Sequence, residues 1–176
     1  QPDYKMYESH PIVNSLILHH IGHGDVKVRP DVSRLDGGTV HFKDGSRADY
    51  DLVMTATGYK LHYPFIDDRL LNWQGMAPRL YLNIFAPRFE RLAVLGMVEA
   101  AGLGWEGRAE QAEVMARYFK GLDAGQARAL AFSKARQGPS PDLSGGYRYL
   151  KVERMACYVN KDVYRDTMRQ TAAELA

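Results

Sequence analysis

The chain has 176 residues, 45% hydrophobic and 25% charged, the composition of an ordinary globular protein. A net charge of +2, from 23 basic and 21 acidic residues, is too balanced for an electrostatic footprint on nucleic acid or an anionic membrane. The single cysteine, Cys157, excludes a disulfide framework, a Cys-x-x-Cys redox pair and a cysteine zinc site. No apolar run reaches transmembrane length and no signal peptide opens the chain, so a cytoplasmic location is expected. The chain starts at Gln1, not Met, and is expected to be a piece of something longer.

Ser9-His10-Pro11 reads as a helix start, with Pro near the first helical position. Ile12, Leu16, Ile17, His20 and Ile21 recur at helical spacing, and Gly22 and Gly24 end the run. Val26 to Arg29 alternate as a short strand stopped by Pro30. Asp36-Gly37-Gly38 and Asp44-Gly45 are turn signals on either side of Val40 and Phe42, which predicts a small antiparallel meander. The meander leads into Leu52–Thr57, an apolar run without alternation, the pattern of a strand covered on both faces in a parallel sheet. It ends on Thr57-Gly58, and ligands gather at the carboxyl ends of such strands. Lys60 to Arg79 is irregular, with Pro64, Gly75 and Pro78, and reads as a crossing between two structural units. Leu80–Phe85 and Leu92–Gly96 are expected to pair as strands joined by Ala86–Arg91. After a Gly-rich loop over Met97–Gly107 comes a predicted helix from Arg108 to Lys120. Its apolar stripe is Ala112, Met115, Ala116 and Phe119, and Gly121 is its stop. A second helix over Asp123–Ala135, a loop over Gln137–Gly146 and a mostly helical tail from Tyr147 complete the chain.

Gly102-Leu103-Gly104-Trp105-Glu106-Gly107 matches Gly-x-Gly-x-x-Gly literally. A dinucleotide fingerprint sits directly on a strand end and is followed by a parallel strand, and neither is expected here. A flexible loop facing a ligand is the favoured reading. His19 and His23 have the i, i+4 spacing of zinc ligands, but no Glu holds the metalloprotease position and no third ligand is evident. His20 falls on the apolar stripe and reads as a packed core histidine. Glu110-Gln111 is read as a helix start, where free N–H groups suit the carbonyl edge of an isoalloxazine or a phosphate. A plain surface helix start fits those residues equally well. Tyr147, Tyr149, Tyr158 and Tyr164 line either a substrate cavity or, more often for aromatics at this density, a core. No Ser-His-Asp or Cys-His arrangement can be assembled.

Together these pieces resemble the C-terminal part of a flavin-containing monooxygenase. Four stretches carry the resemblance: Gly45 through Tyr59 with Tyr63-Pro64-Phe65, Leu80 through Gly96, Gln111-Ala112 with Arg117 through Leu122, and Asp162 through Asp166. The resemblance implies an α/β fold: an incomplete, Rossmann-like flavoprotein with two dinucleotide-binding domains, a small antiparallel meander and a helical C-terminal tail. Residues 1–59 would finish the NADPH-binding domain, and residues 60–176 would belong to the FAD-binding domain. The family's FAD and NADPH fingerprints, and its histidine-containing signature, would precede Gln1. The implied cofactors are FAD and NADPH, and the implied partners are molecular oxygen and a small nitrogen or sulfur nucleophile, in a homo-oligomer. The implied chemistry runs through a C4a-hydroperoxyflavin. Gln111, Gly96, Thr57 and Gly58 are the expected cofactor-binding residues. A Baeyer–Villiger or N-hydroxylating relative, or a non-catalytic remnant of the same fold, stays open at this point.

Overall fold

The structure is a computed structural model that describes residues 3–11 and 14–176. The chain divides into two compact units, Ile12–Tyr59 and Gln1–Pro11 with Lys60–Ala176.

The first unit holds helix α1 (Leu16–His23) and strands β1 (Val32–Asp36), β2 (Thr39–Phe42) and β3 (Arg47–Asp49). The expected helix thus starts at Leu16 and not at Ser9-His10-Pro11, while Ile12 lies outside the described residues. Gly24 closes it in the left-handed conformation at φ +83°. No residue of α1 is buried. His20 is accordingly not a core histidine: it sits in solvent, paired with Asp25 at 3.0 Å. Leu16, Ile17 and Leu18 are consecutive and exposed, so a hydrophobic count places His20 on a stripe that nothing among the described residues of this unit covers.

The meander forms as the two turn signals require. β1 and β2 pair antiparallel with Asp36 opposite Thr39, and β2 and β3 pair with Val40 opposite Ala48. Val40 and Phe42, two residues apart, turn to the same face and are buried. The strand expected at Val26–Arg29 is absent, and pairing begins beyond Pro30 at Val32. Leu52–Thr57 is a larger departure. It forms no strand, and Leu52 and Met54 are 74% and 81% exposed. A parallel strand owes its hydrogen bonds to neighbours on either side, and no strand among the described residues pairs with this stretch.

In the second unit, the hairpin of β4 (Trp73–Gln74) and β5 (Ala77–Pro78) precedes the segment Leu80–Gly96. That segment is not a plain strand pair. Leu82 and Asn83 are both left-handed, at φ 56° and 57°, and turn Tyr81 back toward Phe85. Pairing with Leu92–Gly96 starts after this turn, where Val94 N–H donates to the Ile84 carbonyl at 2.8 Å. Three helices follow: α2 (Gly104–Asp123), α3 (Ala127–Ala135) and α4 (Lys161–Glu174). α2 starts four residues earlier than expected. Its buried face runs through Gly107, Gln111, Val114, Tyr118 and Leu122, one residue ahead of the expected stripe. Met115 and Phe119 pack only at the flank. Gly121 does not stop the helix. An ideal Cβ there would stand 2.8 Å from the Ala129 Cβ, so the glycine permits close approach of α2 and α3. Asn160 caps α4, its side chain accepting from the N–H groups of Asp162 and Val163.

The core of this unit gathers Phe85, Tyr118 and Phe132, whose ring centroids lie 5.0–5.3 Å apart. Arg136, 2% exposed, reaches across it. Its Nε donates to the Tyr118 hydroxyl at 3.0 Å, and its Nη1 donates to the Ala86 and Pro87 carbonyls. Residues 3–11 join through Glu8, whose carboxylate accepts from the N–H groups of Lys5 and Arg148. Those two hydrogen bonds hold its carboxyl below the usual range. No helix among the described residues is long and apolar enough to cross a membrane.

Candidate functional site

The site is built around the start of α2 and the end of the Leu92–Gly96 stretch. The N–H groups of Gly104, Trp105 and Glu106 precede the first backbone bond of the helix, from Gly107 N–H to the Leu103 carbonyl at 3.4 Å. These groups carry the positive end of the helix dipole. Gly96 and Gly104 stand at φ +89° and +59°, each with open space where a Cβ would be. A planar ligand could therefore approach the backbone closely at both.

Gln111 does not lie at the helix start. It is the eighth residue of α2, two turns in, and fully buried. Its Oε1 accepts from the Gly96 N–H at 2.9 Å, and its Nε2 donates to the Tyr164 hydroxyl at 2.6 Å. The Tyr164 hydroxyl in turn donates to the Leu82 carbonyl at 2.9 Å. Burial pushes the Tyr164 phenol up from its ordinary value, with the Gln111 hydrogen bond acting the other way. Gly96 and Gln111 are thus brought together by a direct bond, but the Gln111 amide is engaged inside the protein.

Glu110, its neighbour, faces α4. Arg165 contacts Glu110 at 2.9 Å and Glu106 at 2.8 Å, and Arg169 contacts Glu110 at 3.0 Å. This network fastens the start of α2 to α4. Thr57 and Gly58 belong to the first unit and are exposed. Gly58 has φ +84°, the left-handed conformation that a residue without Cβ adopts freely.

The four C-terminal tyrosines separate. Tyr147, Tyr149 and Tyr158 line a cavity of about 320 Å³ together with Tyr7 and Lys161, whereas Tyr164 is core. Burial, with Tyr158 and Tyr147 close by, pushes the Tyr149 phenol up to about 12. Gly102–Gly107 does not directly follow a strand, and its last residues are the first turn of α2. Gly107 lies under the Leu103 side chain, so packing explains that glycine. No group of three or more His, Cys, Asp or Glu converges among the described residues. His23 instead donates from Nδ1 to the His19 carbonyl at 2.9 Å.

Sequence reasoning missed the role of Tyr164. Its signal was present: Tyr164, Met168, Thr171 and Leu175 recur at i, i+4, i+7 and i+11, and all four are buried. Arg136 left no comparable trace, because an arginine after a helix ordinarily points to solvent.

The fold is mixed helix and sheet with small antiparallel sheets, and a buried amide on α2 holds the Gly96 backbone. The chain belongs to the flavin-binding monooxygenase-like family, which it matches over residues 1–133. It is 32% identical over 125 residues to flavin-containing monooxygenase 5 of Oryctolagus cuniculus, and equally so to that of Homo sapiens. It is also 31% identical over 124 residues to dimethylaniline monooxygenase (N-oxide-forming) 2 of Rattus norvegicus. Each alignment covers 69% of this chain and 23% of the relative, so the chain spans about a quarter of the length of these curated relatives.

The family implies a flavin, and the backbone at Gly96 and at the α2 start has chemistry that suits one. Open backbone at Gly96 and Gly104 suits a planar ring, and the free N–H groups suit its electron-rich carbonyl edge. A pyrophosphate cradle does not fit Gly102–Gly107, which lacks the preceding strand.

Proposed function

We propose that this chain is the C-terminal part of an FAD- and NADPH-dependent monooxygenase that uses molecular oxygen to oxygenate a small nitrogen or sulfur nucleophile. The family match over residues 1–133 carries the reading, since it runs through both structural units. The relative named for forming an N-oxide supports a nitrogen nucleophile as substrate. FAD, once bound and reduced by NADPH, supplies the oxygen-activating chemistry.

The chain's own residues supply placement. Gly96 would let backbone come close to a bound flavin, and the N–H groups of Gly104 to Glu106 would suit its electron-rich edge. Gln111 stands behind Gly96 and holds it. Thr57 and Gly58 would lead from the NADPH-binding part to the FAD-binding part, although residues 1–11, expected with the first part, group with the second unit. The division of the structure at Tyr59 and Lys60 supports that boundary. Exposed Leu16, Leu18, Leu52 and Met54 on the first unit support burial against other parts of the protein or a second copy in a homo-oligomer. The cytoplasm, where NADPH is available, suits this activity.

The test is the complete protein that carries this chain, supplied with NADPH, oxygen and dimethylaniline. A flavin spectrum and NADPH-dependent N-oxide formation are expected. A protein without flavin, or one that oxidises NADPH without oxygenating any nitrogen or sulfur nucleophile, overturns the reading.

A further inference from the structure

We propose that Tyr164 is a positioning residue for the flavin-facing backbone at Gly96, acting through the side-chain amide of Gln111. The proposal rests on the functional reading above.

Three hydrogen bonds in series define it. Leu82 offers a carbonyl, which can only accept, so the Tyr164 hydroxyl spends its proton there, at 2.9 Å. That hydroxyl is then an acceptor toward Gln111, which must present Nε2, at 2.6 Å. Oε1 is left facing the Gly96 N–H, a donor, at 2.9 Å. Each partner fixes the orientation of the next, and the Gln111 amide has one satisfactory orientation. Turned over, it would set a donor against the Gly96 N–H.

Burial makes this order strict. Gln111 and Tyr164 are fully buried, and no buried side-chain nitrogen or oxygen among the described residues lacks a partner. Water therefore does not compensate cheaply for a lost hydroxyl. The Cβ direction of Gly96 is open, with nothing within 4 Å of an ideal Cβ. The N–H of this residue is thus held by a polar relay rooted in α4, while its Cβ direction is unoccupied. The relay also ends on Leu82, one of two consecutive left-handed residues, so the same hydroxyl steadies the turn that feeds the Gly96 stretch.

The test is Tyr164→Phe, which keeps the ring and removes the relay, in the flavin-loaded protein that carries this chain. A roughly tenfold change in relative affinity for oxidised and reduced flavin is expected, read as a shift of about 30 mV in the two-electron potential. Hydrogen exchange at the Gly96 amide should rise by a similar factor. Gln111→Met should reproduce both effects, and the double variant should shift the potential no further than the larger single variant. Unchanged potential and exchange, or additive shifts, overturn the proposal. Should Tyr164→Phe fail to fold, Gln111→Met decides: the expected shift supports the relay and its absence refutes it. A wild-type protein that holds no flavin overturns the functional reading, and this inference with it. A wild-type protein that holds flavin, with silent variants, overturns this inference alone.

Discussion

Arg136 provides the strongest test of how the second unit is held together. Its guanidinium is buried and donates to the Tyr118 hydroxyl and the Ala86 and Pro87 carbonyls. Truncation to Ala strands those acceptors, at about 1–3 kcal/mol for each buried group left unpaired. It also opens a cavity in close-packed surroundings. Relief from desolvating a cation offsets part of the loss. The expected net destabilisation for Arg136→Ala is about 4 kcal/mol, large among single substitutions. Arg136→Met refills the volume and strands the same acceptors, so about 2 kcal/mol is expected. Urea unfolding followed by tryptophan fluorescence suits the question, because Trp73 and Trp105 both lie in the second unit. A change of midpoint at constant slope would report stability alone. If Arg136→Ala costs less than about 1 kcal/mol, the clamp on Ala86 and Pro87 does not stabilise this unit. If Met and Ala cost the same, the volume term is wrong.

Gly121→Ala sets a new Cβ 2.8 Å from the Ala129 Cβ, and neither can rotate away, so about 1–3 kcal/mol of destabilisation is expected in the same urea assay. Gly58→Ala meets open space but keeps φ +84°, so its cost is conformational, about 1 kcal/mol in the complete protein. An ordinary extended φ at residue 58 and a neutral Gly58→Ala would remove that residue from the linker. Tyr149 titrates at about 12 in the folded chain against an ordinary 10.0, so the protonated phenol favours the fold. That contribution is complete below pH 10 and is lost as pH rises through 12, so Tyr149→Phe should flatten the alkaline fall in unfolding midpoint over this window. The 176-residue chain alone should bind FAD weakly or not at all, because Gly102–Gly107 follows no strand that would aim a pyrophosphate loop. Isolation of a yellow chain with stoichiometric FAD would refute this.

What could be read from the sequence was whatever short-range chemistry decides. Asp36-Gly37-Gly38 and Asp44-Gly45 placed the turns of the meander, and Val40 and Phe42 marked its buried face. Ala127–Ala135 fell inside the predicted second helix for the same local reason. Errors arose where tertiary partners decide. Leu52–Thr57 has the composition of a two-faced parallel strand, yet composition cannot supply the neighbours that would pair it. The stripe of α2 was misplaced by one residue because Gln111 and Gly107 were not counted as core formers, although both are buried. Gly121 was taken as a stop because a glycine near a helix end usually is one, whereas its contact with Ala129 is invisible in sequence.

The candidate site shows why polar residues were the hard part. Gly96 ends a stretch that regular sheet bonding would ordinarily hold, but its N–H goes to a side chain on α2. That side chain is oriented from α4, and the preceding Ala86 and Pro87 carbonyls are held by Arg136 beyond α3. Hydrophobic periodicity places α2 and α4 side by side, and the Glu110–Arg165 pair at 2.9 Å sets their register. Neither term specifies where the Gly96 backbone stands. The buried hydroxyl, amide and guanidinium do, because each has few acceptable partners and a high cost when unpaired. Substitutions at Gln111, Arg136 and Tyr164 should therefore separate by their effects: Arg136 through stability of the whole unit, and Gln111 with Tyr164 through the local order of Gly96.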